Sequence, residues 1–299
     1  MSRRRDGQGI DGVLILDKPN GITSNRALQI VKRIFNAQKA GHTGSLDPLA
    51  TGLLPICFGE ATKYSQFLLD ADKRYEVTAQ LGVITDSGDA EGKIIEERTV
   101  PEISSAHFAE IVENFRGEIE QVPSMFSALK HQGKPLYELA RQGIVIDRKR
   151  RKIKIYELII RELTPTTFRL SVHCSKGTYI RSLVEDIGLA LGCGAHVTQL
   201  RRIAAGPFIA DQMHTLESLE SNDNLIQLLL PPDSLVNTLP KIVLGDIETT
   251  MLQQGKAVIV PDATMIEYLR LYSTQAYFLG IGTIDATGKL TSRRLTSTV

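Results

Sequence analysis

Cysteine is scarce. Cys57, Cys174 and Cys193 are the only three in 299 residues, and no two of them stand in a C-x-x-C spacing. An odd, scattered set argues against a disulfide framework and against a zinc site, so each thiol is expected to be free and buried. Long apolar runs are missing as well. The longest candidates, such as Leu225 to Leu230, are core-sized, while a membrane helix needs roughly 20 apolar residues. Charge of one sign is not in excess either: 35 Lys and Arg face 34 Asp and Glu, a formal net charge of +1. The chain as a whole therefore does not advertise a polyanionic partner.

What is present is ordinary for a folded protein, with 42% hydrophobic and 23% charged residues. The length exceeds the usual single core, so one large domain and a smaller one are expected. The N-terminus Met1 to Gly9 is basic, but no long apolar segment follows, so it does not read as a secretory signal and a cytoplasmic location is expected. One basic run, Arg148-Lys149-Arg150-Arg151-Lys152-Ile153-Lys154, contains no acid. It is either a solvated surface or a phosphate-binding patch.

Val13 to Leu16 reads as a short buried strand, with a turn over Asp17 to Gly21. Thr23 or Ser24 can then cap a helix whose apolar residues Ala27, Leu28, Val31, Ile34 and Phe35 recur at helical spacing. Tyr75, Val77, Ala79 and Leu81 alternate as a strand does, and the turn-rich segment Thr85 to Gly92 leads to a second strand at Lys93-Ile94-Ile95. Its acids suggest calcium, but setting Gly92 at the obligatory loop glycine leaves Arg98 where a carboxylate is required, so no metal is assigned. Ser104 to Phe115, Leu136 to Arg141 and Ser182 to Leu191 have helical patterns; Tyr156 to Arg161 and Phe168 to Cys174 look like strands around a Thr-Pro turn. This mixture favours an α+β fold with a mainly antiparallel sheet. Composition changes near Leu230-Pro231-Pro232 and Leu239-Pro240. Beyond them come short strands at Lys256 to Val260, Tyr277 to Ile284 and from Lys289, a β-rich module from about residue 237.

The stretch Gly41 to Pro55, GHTGSLDPLATGLLP, surrounds one carboxylate, Asp47, with three glycines and two prolines. Asp followed by Pro suits an N-cap and first helical position, so Asp47 could start a short helix through Leu54. Gly52 and Pro55 would make that helix poor, and a glycine-rich loop is where backbone lets a ligand come close. Spacing alone leaves both readings open.

The same stretch resembles the catalytic motif of the TruB family of tRNA pseudouridine synthases, G-x-L-D-x-x-A-x-G-x-L, at every fixed position. Leu16 to Ser24 resembles the family's D-K-P-x-G-x-T-S motif, Asp72-Lys73-Arg74-Tyr75 the segment with its stacking tyrosine, and Cys174 to Leu183 its G-T-Y-I-R motif. Gly194 to Arg202 matches a further stretch, so the resemblance runs in order from about residue 10 to the C-terminus. It implies a pseudouridine synthase catalytic domain over 1–236, with an RNA-binding insertion around 101–155, and a PUA-like RNA-binding domain over 237–299. The implied activity is isomerisation of uridine 55 in the T arm of tRNA, with no cofactor, no metal and no membrane, by a monomer. The competing class is a non-catalytic tRNA-binding or folding protein that keeps the same pocket.

By resemblance, Asp47 is the catalytic carboxylate, Tyr75 stacks on the flipped uracil, Tyr179 sits against the base near its C5 proton, and Arg181 pairs with Asp47. Tyr179 and Arg181 alternate as on a strand, which would point both to one face. His42 is expected near the displaced nucleotide, and Leu200 to touch substrate. Lys18, Lys63 and Arg202 are candidate phosphate or RNA contacts. With so little net charge, affinity is expected to rest on patches at Arg3 to Arg5, Arg148 to Lys154 and Arg201-Arg202.

Overall fold

The computed structural model describes residues 7–297. Strand β1 (Gly12–Lys18) is buried along nearly all its length. Helix α1 (Ser24–Ile34) follows, capped by Thr23, whose hydroxyl accepts from the Arg26 amide, and it buries Ala27, Leu28 and Val31 as the spacing predicts. Ser24, the other cap candidate, instead bonds both ways with Leu46: its Oγ receives the Leu46 amide at 2.7 Å and donates to the Leu46 carbonyl at 3.0 Å. Strands β2 (Ala40–His42) and β3 (Thr51–Phe58) form a hairpin around the glycine-rich stretch. The short helix expected from Asp47 to Leu54 is not formed; from Thr51 the chain is strand, and seven of its eight residues are buried.

Helix α2 (Ser65–Leu69) leads to β4 (Lys73–Leu81), then the hairpin β5 (Val83–Thr85) and β6 (Ile94–Glu97). Helix α3 (Ser105–Glu113), capped by Ser104, precedes β7 (Gly117–Gln121). The segment that follows holds the small hairpin β8 (Lys130–His131) and β9 (Lys134–Pro135) and helix α4 (Leu136–Arg141). Then come β10 (Arg151–Leu163), β11 (Thr167–Cys174), helix α5 (Ile180–Ala190), β12 (Ala195–Ala205), β13 (Phe208–Ile209) and helix α6 (Leu216–Glu220).

These strands make one sheet in the order β1-β3-β12-β4-β11-β10-β7, with β2 beside β3 and β13 beside β12. Every pairing is antiparallel except β12 with β3, so the sheet is mixed and mainly antiparallel, as expected. Alternation divides its strands between two cores. Leu14, Leu16, Leu54, Ile56, Val77 and Leu170 face the side covered by α1, α3 and α5, while Val13, Ile15, Leu53 and Cys57 face the other. All three cysteines are buried and free.

The C-terminal part contains β14 (Lys241–Leu244), α7 (Asp246–Gln253), β15 (Val258–Ile259), β16 (Ile266–Ser273), β17 (Phe278–Ile284) and β18 (Lys289–Leu295). They form a separate five-stranded sheet, β14-β16-β17-β18-β15, with its own core around Leu252, Leu271 and Leu290. Ile281 nonetheless joins the second core of the large sheet beside Leu235 and Val236. Tyr64 and Phe278 meet edge to face at 5.3 Å. Lys63 closes this seam: its ammonium bonds Glu60 at 2.6 Å, the Leu295 carbonyl at 2.9 Å and Ser297 Oγ at 2.9 Å. Its three donors are spent within the protein, so the expected phosphate contact at Lys63 is replaced by a structural one.

Candidate active site

The loop between β2 and β3 is fastened from four directions. Thr43 donates its amide to the Pro55 carbonyl at 3.1 Å, Leu46 is held by Ser24, Gly21 donates to Pro48 at 2.9 Å, and Arg202 Nη2 donates to Gly44 at 2.9 Å. Lys18 lies beneath it, fully buried, with Nζ on the carbonyls of Pro19 at 2.8 Å, Ile22 at 2.7 Å and Pro48 at 3.2 Å. Burial brings the Lys18 pKa down to about 8. Lys18 thus shapes the loop, and its three donors are all taken by carbonyls, with none left for the expected phosphate. Gly52 shows why the stretch needs glycine: its φ is +96°, and a Cβ there would collide with the Arg202 carbonyl across the parallel pairing.

Asp47 lines a cleft of about 320 Å³, at the small end of ligand sites, which run from roughly 300 to 1,000 Å³. Tyr75, Tyr179, Arg181 and Leu200 line the same cleft. Tyr75 and Leu200 come from adjacent strands, where Leu200 pairs with Val77 and Arg202 with Tyr75. Burial raises the Tyr75 pKa, which keeps its phenol neutral at ordinary pH.

Tyr179 and Arg181 reach the cleft by a different route from the strand that alternation suggested. Tyr179 is the extended residue before α5, and Arg181 lies in the first turn of that helix. Gln121 holds Tyr179 extended, its Oε1 accepting the Tyr179 amide at 3.1 Å and its Nε2 donating to the Tyr179 carbonyl at 3.3 Å. Arg181 is buried and held by four partners: Nε is 3.0 Å from Asp47 Oδ2, Nη1 donates to the Ser87 carbonyl at 2.8 Å and to Asp89 Oδ2 at 3.1 Å, and Nη2 donates to the Phe126 carbonyl at 2.8 Å.

The Asp47 carboxylate is 42% accessible from the cleft yet walled by protein elsewhere. That burial raises its pKa, Arg181 lowers it, and Asp89 raises it further. Asp89 was not singled out from the sequence. It is buried, takes Ser87 Oγ at 2.6 Å and the Glu91 amide at 3.1 Å on Oδ1, and presents Oδ2 to Arg181. Its one sequence signal was the acidic turn, which the structure uses to grip an arginine.

His42 is not brought into the cleft lining. It sits on β2 opposite Ile56, half-buried, with Nδ1 sealed and unpartnered, and burial together with Arg202 lowers its pKa. Arg202 is buried and lines the same cleft, with Nε on the Leu53 carbonyl at 2.7 Å, so its hydrogen bonds brace the loop. Arg201 is taken up by Asp17 through two bonds at 2.7 and 2.9 Å. In the basic run, Lys152 and Lys154 are exposed on β10 while Ile153 and Ile155 are buried, and Arg148 donates to the Pro123 carbonyl at 3.0 Å. The patch at Arg3 to Arg5 lies outside the described residues.

Three family profiles cover the chain in order: TruB family pseudouridylate synthase (N terminal domain) over residues 32–180, tRNA pseudouridylate synthase B C-terminal domain over 181–237, and pseudouridine synthase II TruB, C-terminal, over 240–296. A protein of Tolumonas auensis named tRNA pseudouridine synthase B is 54% identical over 310 residues, covering 99% of this chain and 95% of its own. A protein of the same name from Coxiella burnetii is 53% identical over 292 residues, covering 96% and 94%. Among solved structures, a chain in the crystal structure of a Cbf5–Nop10–Gar1 complex superposes with a TM-score of 0.72 at 28% identity, covering 93% of this chain and 79% of that one. With this site, this fold and relatives matching along nearly the whole length, the chain belongs to the TruB family of pseudouridylate synthases.

Proposed function

We propose that the protein converts uridine 55 in the T arm of tRNA to pseudouridine, acting in the cytoplasm as a monomer, with Asp47 as its catalytic carboxylate. The observation that carries this reading is the Asp47–Arg181 pair at 3.0 Å, in a cleft that Tyr75 and Tyr179 also line. Relatives named tRNA pseudouridine synthase B support tRNA as the substrate.

The reaction breaks the bond from uracil N1 to ribose C1′, turns the base, joins C5 to C1′, and moves the C5 proton away while N1 gains one. Nothing is consumed. An ionised carboxylate beside C1′ serves either as a nucleophile or as an electrostatic partner of a cationic sugar. Arg181 opposes the effect of burial and favours that ionised form. The base must leave its stack at a cost of a few kcal/mol, and stacking on Tyr75 returns about 1 to 3 kcal/mol. Leu200 offers apolar contact to the flipped nucleotide, and Tyr179 takes the side where the C5 proton leaves. The C-terminal sheet extends the RNA footprint toward the acceptor end.

The test is tritium release from C5-labelled uridine in a T-arm stem-loop. Release at the rate of product formation is expected. A protein that only binds or folds tRNA would hold the stem-loop and release nothing.

A further inference from the structure

Between β7 and β10 the chain leaves the sheet and folds back over the N-terminus of α5. Its root is tied there by Gln121 on Tyr179 and by the Ser182 hydroxyl on the Val122 carbonyl at 3.3 Å. Farther along, Met125, Leu136 and Leu139 make a small core of their own, with Phe126 and Leu129 packed on it. The Phe126 carbonyl receives Arg181 Nη2, and the next carbonyl, that of Ser127, receives the Tyr137 amide at 3.1 Å. Backbone on either side of the Ser127 side chain is thereby fixed, and Ser127 lines the cleft with Asp47, Tyr179 and Arg181.

Ser127 is 3% exposed, and its Oγ is sealed from water with no hydrogen-bond partner. Buried hydroxyls without partners are rare in folded proteins, so this one calls for a use. Arg181 is taken up by Asp47 and Asp89. Tyr179 lines the same cleft as Ser127. Burial pushes the Tyr179 pKa up, and the nearby Ser127 hydroxyl counters it; the charged groups that also act on that phenol are Arg151 on β10, Asp47 on the loop and Arg181 on α5.

We infer that Ser127 is a positioning residue for Tyr179: with RNA in the cleft, its hydroxyl donates a hydrogen bond to the phenol oxygen and aims that oxygen at the base. The inference rests on the pseudouridine synthase reading above. Ser127 acts through Tyr179, since its own oxygen has no surface to offer a substrate. The insertion then completes the site: its root fixes the Tyr179 backbone, Phe126 holds Arg181, and Ser127 orients the phenol.

The test uses the full chain, a C5-tritiated T-arm stem-loop and single-turnover rates across neutral and alkaline pH. Ser127→Ala is expected to slow tritium release about 3- to 10-fold, the weight of one hydrogen bond, and to move the alkaline limb of the profile to higher pH. The Kd for the stem-loop stays unchanged. Ser127→Thr, which keeps the hydroxyl, is expected to restore the wild-type profile. On a Tyr179→Phe background Ser127→Ala is expected to cost nothing more. Wild-type rate and profile in Ser127→Ala, or an equal loss on the Tyr179→Phe background, overturns the inference while leaving the proposed function standing. No release from the wild-type protein overturns the proposed function itself.

Discussion

Arg181 meets Asp47 through Nε, 3.0 Å from Oδ2, and the two side chains differ sharply in exposure: 5% for the arginine and 42% for the aspartate. The counter-charge is sealed in protein while the carboxylate it steadies stays open to the cleft. A buried guanidinium held by four partners is fixed in place, so Asp47 is presented in one orientation. This is the arrangement the proposed role of Asp47 needs: a carboxylate steadied by a cation, aimed and reachable.

Replacing Asp47 with Asn keeps the shape and removes the charge. T-arm RNA should bind Asp47→Asn with near-normal affinity, and no pseudouridine should form. Tritium release above background would falsify the assignment of Asp47.

Asp89→Asn tests the anchor behind the arginine. Burial and Asp89 both raise the Asp47 pKa, so wild-type activity should fall with decreasing pH through a limb above the ordinary carboxylate range. Without the Asp89 charge that limb should move to lower pH, even as the plateau of kcat drops by about tenfold or more because Arg181 has lost a buried partner. A kcat/KM profile against pH reads both. A limb that moved upward would contradict the assignment.

Tyr75→Leu tests the proposed stacking platform. Loss of a base stack of about 1 to 3 kcal/mol corresponds to roughly 5- to 150-fold in binding, with turnover falling as well, while Tyr75→Phe should keep most of both. Stem-loop affinity and single-turnover rate together decide the matter, and unchanged turnover in Tyr75→Leu would remove Tyr75 from the site.

Lys18→Met asks whether a buried cation is structural. Three carbonyls lose their donor, so a loss of about 1 to 3 kcal/mol and a lower Tm are expected. The salt dependence of RNA binding should keep its slope, because no phosphate contact is lost. The folded-state pKa of about 8 lies below the usual 10.5, so the lysine's unfavourable contribution fades as pH rises between the two values. That rise in stability should be absent from the variant, as thermal melts across this range would report.

The sequence was readable where a local period matched a local burial. Helix α1 and the strands around Tyr75, Tyr156 and Phe168 follow their side-chain alternation because one face of each meets a core. It misled where distant residues decide. Tyr179 and Arg181 alternate like a strand, yet Gln121, 58 positions away, fixes the bend from which α5 starts. The run Leu53 to Phe58 is buried throughout, so it has no alternation to separate strand from helix. Lys18, Lys63 and Arg202 announced their charges, but their partners are mostly backbone carbonyls, which leave no trace in residue type. Asp89 was hidden for a different reason: an acid in a turn looks solvated until an arginine arrives from another element.

The position of β12 in the sheet bears on how the protein is made. It lies between β3 and β4, so both of those strands carry an open edge until residues 195–205 have left the ribosome. The N-terminal strand waits longer, since Val13 bridges Leu230 and Leu16 bridges His214. Contacts this distant in sequence make folding slow and leave strand edges exposed to other nascent chains. The strand that closes the gap also carries Leu200 and Arg202, so the sheet and its cleft become whole in the same late step.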